Sequence, residues 1–494
     1  MCEIPNELQR VEFFEPQRDL VAAALRALCK QLRPFVSIAP LALDRPGRCA
    51  MSVRATIVLV LSFLAAQAFA QTSASPLRVG AAKVDVTPAP SDLPPSMDGI
   101  LDRLYSRAIV LDNGSARAAL ITIDIGGISN ELWESVSTAL DSELDIPADN
   151  VLLTATHTHS APFRMGAEIA DLVVESARQA ARGAAPARVG YGTGVSYINV
   201  NRNIIDPETR RWWEGPNYEG PSDKTVAVME FEALDGKPIA VYYNYAMHAV
   251  TVGQLEMISG DAPGRASKYI EDSFDGDIVA LWSSGAAGDQ NPLYFQQTYD
   301  LRKIRIAEYA ERGIDISNAM PPGGEGLDRS DPRVAKLMNQ QKQMILSMGQ
   351  FLGEEVMHVM RGIDRMSTNV SIRGSHVVAT CPGRNRLDSG RAGYPGEYED
   401  GEPVELRLGL LQIGDIAIGA VNAEVFNLIA QRLKRESPYA RTMMATLTNG
   451  RANSGYIPND AAYNMYTFEV ISSRLKPGCA EDAIVNGILD LMEH

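Results

Sequence analysis

Short runs of apolar and β-branched residues alternate along this chain with longer stretches of helical periodicity. Runs at 118–124, 151–155, 226–231, 239–245 and 278–282 read as strands. Stretches at 130–143, 167–183, 266–272, 333–361 and 427–435 read as helices. Strands interleaved with helices in this way call for an α/β fold: layered mixed β-sheets flanked by helices around a sizeable core. Strands and chemically active residues are spread through the whole length, so a single large catalytic domain over 76–494 is expected rather than two. Residues 294–332 and 384–403, rich in Gly, Pro and charge, read as loops. The methionines of the 333–361 helix fall at helical spacing and read as core filler.

The apolar run Val151-Leu152-Leu153 leads into Thr154-Ala155-Thr156-His157-Thr158-His159-Ser160-Ala161-Pro162. Side chains two apart on a strand share a face, so an extended continuation would aim His157 and His159 into one cavity. Imidazole is the commonest metal ligand and a ready proton carrier at neutral pH. Two of the chain's six histidines sit here. Spacing alone does not say which of the two binds a metal and which moves protons. His358 and His376 belong to no such pattern and read as structural.

Met51-Ser52-Val53-Arg54, the apolar run that follows, and Ala68-Phe69-Ala70 have the layout of a signal peptide at 51–70. Met51 therefore reads as the start, residues 1–50 as an upstream extension, and the product as periplasmic or secreted, with no transmembrane anchor once the peptide is cleaved. Beyond Ala70 the chain keeps 38 Lys and Arg against 55 Asp and Glu. That acidic balance excludes nucleic acid as a partner and opposes adhesion to anionic lipid. Of five cysteines only Cys381 and Cys479 follow the signal peptide. An exported pair of this kind is expected to form a disulfide. Oligomeric state is not written in the sequence.

Further stretches carry matching chemistry: Tyr243-Asn244-Tyr245-Ala246-Met247-His248, Val421-Asn422-Ala423-Glu424-Val425-Phe426 and Ser454-Gly455-Tyr456-Ile457-Pro458. With Thr-His-Thr-His-Ser-Ala-Pro they resemble the neutral, non-lysosomal ceramidase family, a group of zinc amidohydrolases. The opening Val79-Gly80-Ala81-Ala82-Lys83-Val84-Asp85-Val86-Thr87-Pro88, Leu120–Asp124, Asn199-Val200-Asn201-Arg202, Ile258-Ser259-Gly260-Asp261 and Gly288-Asp289-Gln290-Asn291-Pro292 follow in the family's order. The resemblance covers most of 76–470, and the family's separate C-terminal β-sandwich is expected to be absent.

The resemblance implies Zn2+ as cofactor, with His157, His248, Glu424 and Tyr456 as its ligands. His159, Arg202 and Asn291 are then the catalytic residues around it. It implies hydrolysis of N-acylsphingosine or a related lipid amide by zinc-bound hydroxide, with His159 moving protons or polarising the carbonyl and Arg202 holding the carbonyl or a polar head group. Asp124, Asp261 and Asp289 are candidates to orient the ligands, or simply to cap helices. The chain departs from the family's pattern at Asn291, where the family has Ser, and at Phe468, where it has Tyr. Ala161 and Phe163 replace glycines. Asn cannot serve as a nucleophile, which favours direct attack by the hydroxide; its amide can donate to a carbonyl oxygen or hold a water. A zinc hydrolase of the same fold acting on another amide or ester, and a non-catalytic binding protein that keeps the fold, are the competing expectations.

Overall fold

In the computed structural model a mixed sheet runs in spatial order through Val279–Ser284, Pro238–Tyr245, Thr225–Ala233, Ala185–Val195, Arg78–Asp85, Tyr105–Asp112, Arg117–Ile123 and Val151–Ala155. The pairs at its two ends are parallel and those between are antiparallel. The structure describes residues 76–493 apart from 94, 96, 162–166, 253–254, 317–326 and 389–391. The upstream extension, the signal peptide at 51–70, Pro162 and Phe163 lie outside the described residues.

The sheet doubles back on itself. Leu120 and Leu152 from one end share a core with Tyr242 and Leu281 from the other. Thr122 Oγ1 donates to the Trp282 carbonyl at 2.6 Å, tying the two ends together. A second sheet, ordered Ile372–Arg386, Tyr398–Ile413, Ile416–Val421 and Arg441–Thr446, adds Ile413, Ile416, Ile418 and Met443 to that core. Helices cover the outer faces. Asn130–Leu144 and Ala170–Arg182 bury Val136, Leu140, Val173 and Ala177 against one half. Asp261–Ser273 and Pro332–Gly362 bury Ala266, Ile270, Met348 and Leu352 against the other. Each of the valine, leucine, isoleucine and methionine side chains among them contributes about 1.5–3 kcal/mol by leaving water. Ser129 caps the first of these helices by accepting from Leu132 N at 3.1 Å, and Asp331 caps the long one at Arg333 N at 2.8 Å. Ala74–His494 forms one compact unit. This is the expected α/β architecture of layered mixed sheets flanked by helices.

Three expectations need correction or completion. The 294–332 segment read as a loop contains the helix Gln296–Glu311. Its buried face carries Thr298, Arg302 and Arg305 beside Leu301, so no apolar stripe announces it. The 384–403 segment is mostly the tip of a long hairpin, with strands entering from Ile372–Arg386 and leaving through Tyr398–Ile413. Cys381, on that hairpin, is disulfide-bonded to Cys479 with Cα atoms 5.8 Å apart, as expected. Met338, Met348, Met357 and Met360 are core residues, and His358 and His376 are exposed. Among the described residues no helix is long and apolar enough to cross a membrane.

Candidate metal centre

Three strand ends deliver the site. His157 follows Val151–Ala155, His248 follows Pro238–Tyr245, and Glu424 follows Ile416–Val421. Grouping chemistry beyond the carboxyl ends of strands is the general habit of open α/β sheets. The two histidine segments then run side by side: Thr158 bridges Ala249 in parallel, and His159 N donates to the Ala249 carbonyl at 2.9 Å.

The geometry at His157 departs from a simple pleat. The strand ends at Ala155, and His157 sits at φ 62°, a left-handed conformation that costs a residue with a Cβ about 1–2 kcal/mol. The turn, rather than strand alternation, brings the two imidazoles together, with ring centroids 4.9 Å apart. His157 and His248 are 4.8 Å apart by the same measure. Backbone strain of this kind is characteristic of functional positions.

Both buried imidazoles are held in the same way. His157 Nδ1 donates to the Gly126 carbonyl at 2.6 Å, and His248 Nδ1 donates to the Ala287 carbonyl at 2.6 Å. Each carbonyl lies three residues past the end of the strand that runs parallel to the histidine's own, Arg117–Ile123 in one case and Val279–Ser284 in the other. A proton fixed on Nδ1 leaves the Nε2 lone pair outward, as a metal ligand requires. Both Nε2 atoms lie 3.3 Å from Oε2 of Glu424. Among the described residues His248 Nε2 and Glu424 Oε2 make no hydrogen bond although both atoms are buried. A lone pair facing a carboxylate oxygen inside a protein is satisfied by a proton or a metal cation placed between them. His159 Nε2 lies 3.5 Å from His157 Nε2, and the ligand atoms of His157, His159 and His248 all fall within 4.8 Å of one another. The donor set of imidazoles and a carboxylate suits zinc.

The electrostatics fit this arrangement. Burial pushes His248 down to about 4, with the positive charge of Arg202 adding to it, so its imidazole is neutral. Burial and the neighbouring His157 and His248 hold His159 well below its ordinary value. At His157 burial lowers the value, but Glu424 outweighs it and the net direction is up. Burial opposes ionisation of Glu424, yet His157 and His248 win and hold it well below the carboxylate range.

Tyr456 is the register partner of Glu424 in a short parallel bridge. Gly455, at φ 62° and closely backed by the Ser472 carbonyl, makes the turn that presents it; no side chain fits there. Burial and Glu424 push the Tyr456 phenol up. Arg202, 2 % exposed, places its guanidinium carbon 5.4 Å from the centre of the Tyr456 ring. Its Nε donates to Glu469 Oε1 at 2.6 Å and its Nη1 to Asn291 Oδ1 at 3.4 Å. Asn291 is wholly buried, and its amide donates to Glu214 Oε1 at 2.8 Å. Phe468 packs on the Tyr456 ring, with centroids 5.9 Å apart.

The carboxylates Asp124, Asp261 and Asp289 support the frame rather than the imidazoles, whose Nδ1 atoms are held by backbone carbonyls. Asp124 takes Tyr105 N and Arg107, and Asp261 takes the backbone of Val252 and Ala262. Asp289 ties three site segments together. It accepts from Asn427 N at 3.0 Å and from Asn201 Nδ2 at 3.0 Å, and its own carbonyl takes Arg202 N at 2.9 Å. Burial pushes its carboxyl up to about 6. Glu469 and Glu214 were not anticipated from sequence: each is a lone carboxylate in an unremarkable stretch. The two carbonyl clamps carry no side-chain signal at all.

A layered α/β scaffold with three imidazoles and a carboxylate converging at its strand ends defines a protein with a candidate metal-binding centre. Residues 79–386 match the model of the neutral/alkaline non-lysosomal ceramidase N-terminal region, and the chain belongs to that family. The match includes His157, His159, Arg202, His248 and Asn291 and ends before Glu424 and Tyr456. The neutral ceramidase of Mycobacterium tuberculosis is 29 % identical over 281 residues, 47 % of this chain and 42 % of that protein. That of Pseudomonas aeruginosa is 27 % identical over 277 residues, 49 % of this chain and 41 % of that protein. The aligned part thus spans about two fifths of these relatives' length. Two solved structures share the fold at 17 % identity: a ceramidase complexed with C2 (TM-score 0.62, 85 % of this chain and 76 % of that one) and the Pseudomonas aeruginosa neutral ceramidase (TM-score 0.60, 85 % and 75 %).

Proposed function

We propose that this chain is an exported zinc-dependent amidohydrolase that cleaves N-acylsphingosine or a related lipid amide. The carrying observation is the convergence of two imidazole Nε2 atoms, each pinned through Nδ1, on one Glu424 oxygen at 3.3 Å. His157, His248, Glu424 and Tyr456 hold the ion in this reading, and His159 flanks it. A bound zinc supplies a Lewis acid and lowers the pKa of a water to about 7. His159, kept neutral by its surroundings, accepts and returns the proton as the amide breaks. Arg202 offers Nη2, which is buried and makes no hydrogen bond among the described residues, to the developing negative charge on the carbonyl oxygen. Asn291 holds Arg202 and Glu214 in line. Export rests on the signal-peptide layout, and mass spectrometry of the exported protein should find Gln71 at its N-terminus.

A second reading, a hydrolase of the same fold with another amide or ester substrate, is favoured by Phe468 and Asn291, where the family's pattern has Tyr and Ser. One experiment separates them: metal analysis of the purified protein, then assays on fluorescent N-acylsphingosine, simple N-acyl amides and esters. One zinc per chain with ceramide turnover supports the first reading. Zinc with turnover of other substrates only supports the second. Absence of bound metal after zinc reconstitution overturns both.

A further inference from the structure

The frame around Arg202 poses a physical problem. A buried guanidinium beside a divalent cation is a like-charge pair, and each would weaken the other's hold on the site. Arg202 lies against the ring of Tyr456, and its charge is felt at both His157 and His248, opposing positive charge there. Something must cancel it. Glu469 Oε1 accepts from Arg202 Nε at 2.6 Å, and this is the ion pair that Arg202 makes among the described residues. Asn291, at the other side of the guanidinium, is neutral, and its amide is committed to Glu214. Glu469 is fully buried, its second oxygen makes no hydrogen bond among the described residues, and no other ion pair of Glu469 is found among them. It sits in the short helix Phe468–Ser472, directly after the Phe468 that packs on Tyr456. One short segment therefore sets both the ring and the guanidinium.

We infer that Glu469 is a positioning residue: it neutralises Arg202 and fixes it over Tyr456, so that a divalent cation can occupy the neighbouring centre. The inference rests on the metal-centre reading above. The segment acts as a counter-charge, not as a ligand. Its removal should weaken metal binding through Arg202, and only while Arg202 is present. That dependence distinguishes it from a residue that merely supports the fold.

The test is a double-substitution cycle read on zinc affinity by competition with a chromophoric chelator, with no turnover required. Glu469→Gln keeps the size and an acceptor oxygen but removes the charge, and should raise the zinc dissociation constant about 10- to 100-fold. In an Arg202→Met background the same substitution should change it by less than about twofold. If Glu469→Gln does not fold while Arg202→Met/Glu469→Gln folds and binds zinc, the unpaired guanidinium is the cause, and the inference stands. An equal rise in both backgrounds, failure of the double variant to fold, or a Glu469→Gln protein with wild-type zinc affinity would overturn it. A wild-type protein that binds no zinc would overturn the metal-centre reading itself, whereas a zinc-binding wild type with an indifferent Glu469→Gln defeats this inference alone.

Discussion

Two buried clusters of charge lie in this molecule, and they are finished differently. In the first, Arg107 donates to Asp124 at 3.0 Å and to Glu271 at 2.8 Å, and Lys83 reaches Glu271 at 2.6 Å. Two cations meet two anions, and backbone N–H groups of Tyr105 and Ala280 take up further acceptor capacity. Among the described residues only Asp124 Oδ1 of this cluster is left over. In the second, around His157, His248, Glu424 and Arg202, polar atoms on His248, Glu424, Arg202, Glu214 and Glu469 are buried without a hydrogen bond among the described residues. A cluster that holds a fold closes its valences, because an unmet buried polar atom costs about 1–3 kcal/mol. A cluster that waits for something else keeps them open. The same residue types thus serve opposite ends, and the hydrogen-bond inventory tells them apart.

The sharpest way to break this contrast is to delete one member from each side. His248→Ala should strip zinc and reduce hydrolysis to background, a loss of more than about 10⁴-fold. The metal-free protein should keep its fold, as circular dichroism would show. A zinc-loaded, active variant would put the open cluster among the structural ones. Arg107→Ala should do the reverse. It leaves Asp124 buried and unpaired and Glu271 with Lys83 alone, and should cost about 3–5 kcal/mol in denaturant unfolding while the surviving folded protein still binds one zinc. Chelation sharpens the comparison without mutation. Removing zinc held at a hundredfold excess over its dissociation constant should lower stability by about 2.7 kcal/mol, reversibly. In Arg107→Ala the same decrement should persist, because the two clusters are independent.

The smallest effect concerns a third buried carboxyl. Glu230 is pushed up to about 7 by burial, with Glu232 on the same strand adding to it. A folded-state value raised in this way gives a contribution that is complete below the unfolded carboxylate range and is lost as pH rises through about 7. Glu230→Gln should therefore melt with the wild type at pH 4 and about 1–2 °C above it at pH 8.5. A variant that melts lower at pH 8.5 would mean that this carboxylate is satisfied after all.

Much of the fold was legible where apolar runs were dense, and it failed for identifiable reasons elsewhere. The strand Ala185–Val195 escaped notice because Gly190, Gly192 and Gly194 line one face of it. A side chain at any of them would run into Ile363, Val359 or Glu355, so the strand has surrendered its pattern to the packing of the long helix. The helix Gln296–Glu311 hid because Arg302 and Arg305 occupy its inner face. At the site, His157, His248 and Glu424 were readable as motifs, and the structure brings them together. That His157 would reach its neighbours through a left-handed turn was not readable, since no glycine or asparagine marks the position. Nor were the carbonyls of Gly126 and Ala287, which any sequence would supply.

Those two carbonyls also bear on the order of events during folding. Each histidine is aligned by backbone from the neighbouring parallel strand, and the two strand pairs sit at opposite ends of a sheet that must close on itself. Ninety-one residues separate His157 from His248, and a further 176 separate His248 from Glu424. Contacts so distant along the chain form late, after the long intervening loops have been closed. The donor atoms therefore come into range of one another only when the sheet ends have met and the second sheet has docked. Unlike a small zinc-dependent module, which the ion itself folds, this chain must build its cradle first, and an ion bound at the proposed centre would arrive in a nearly completed molecule.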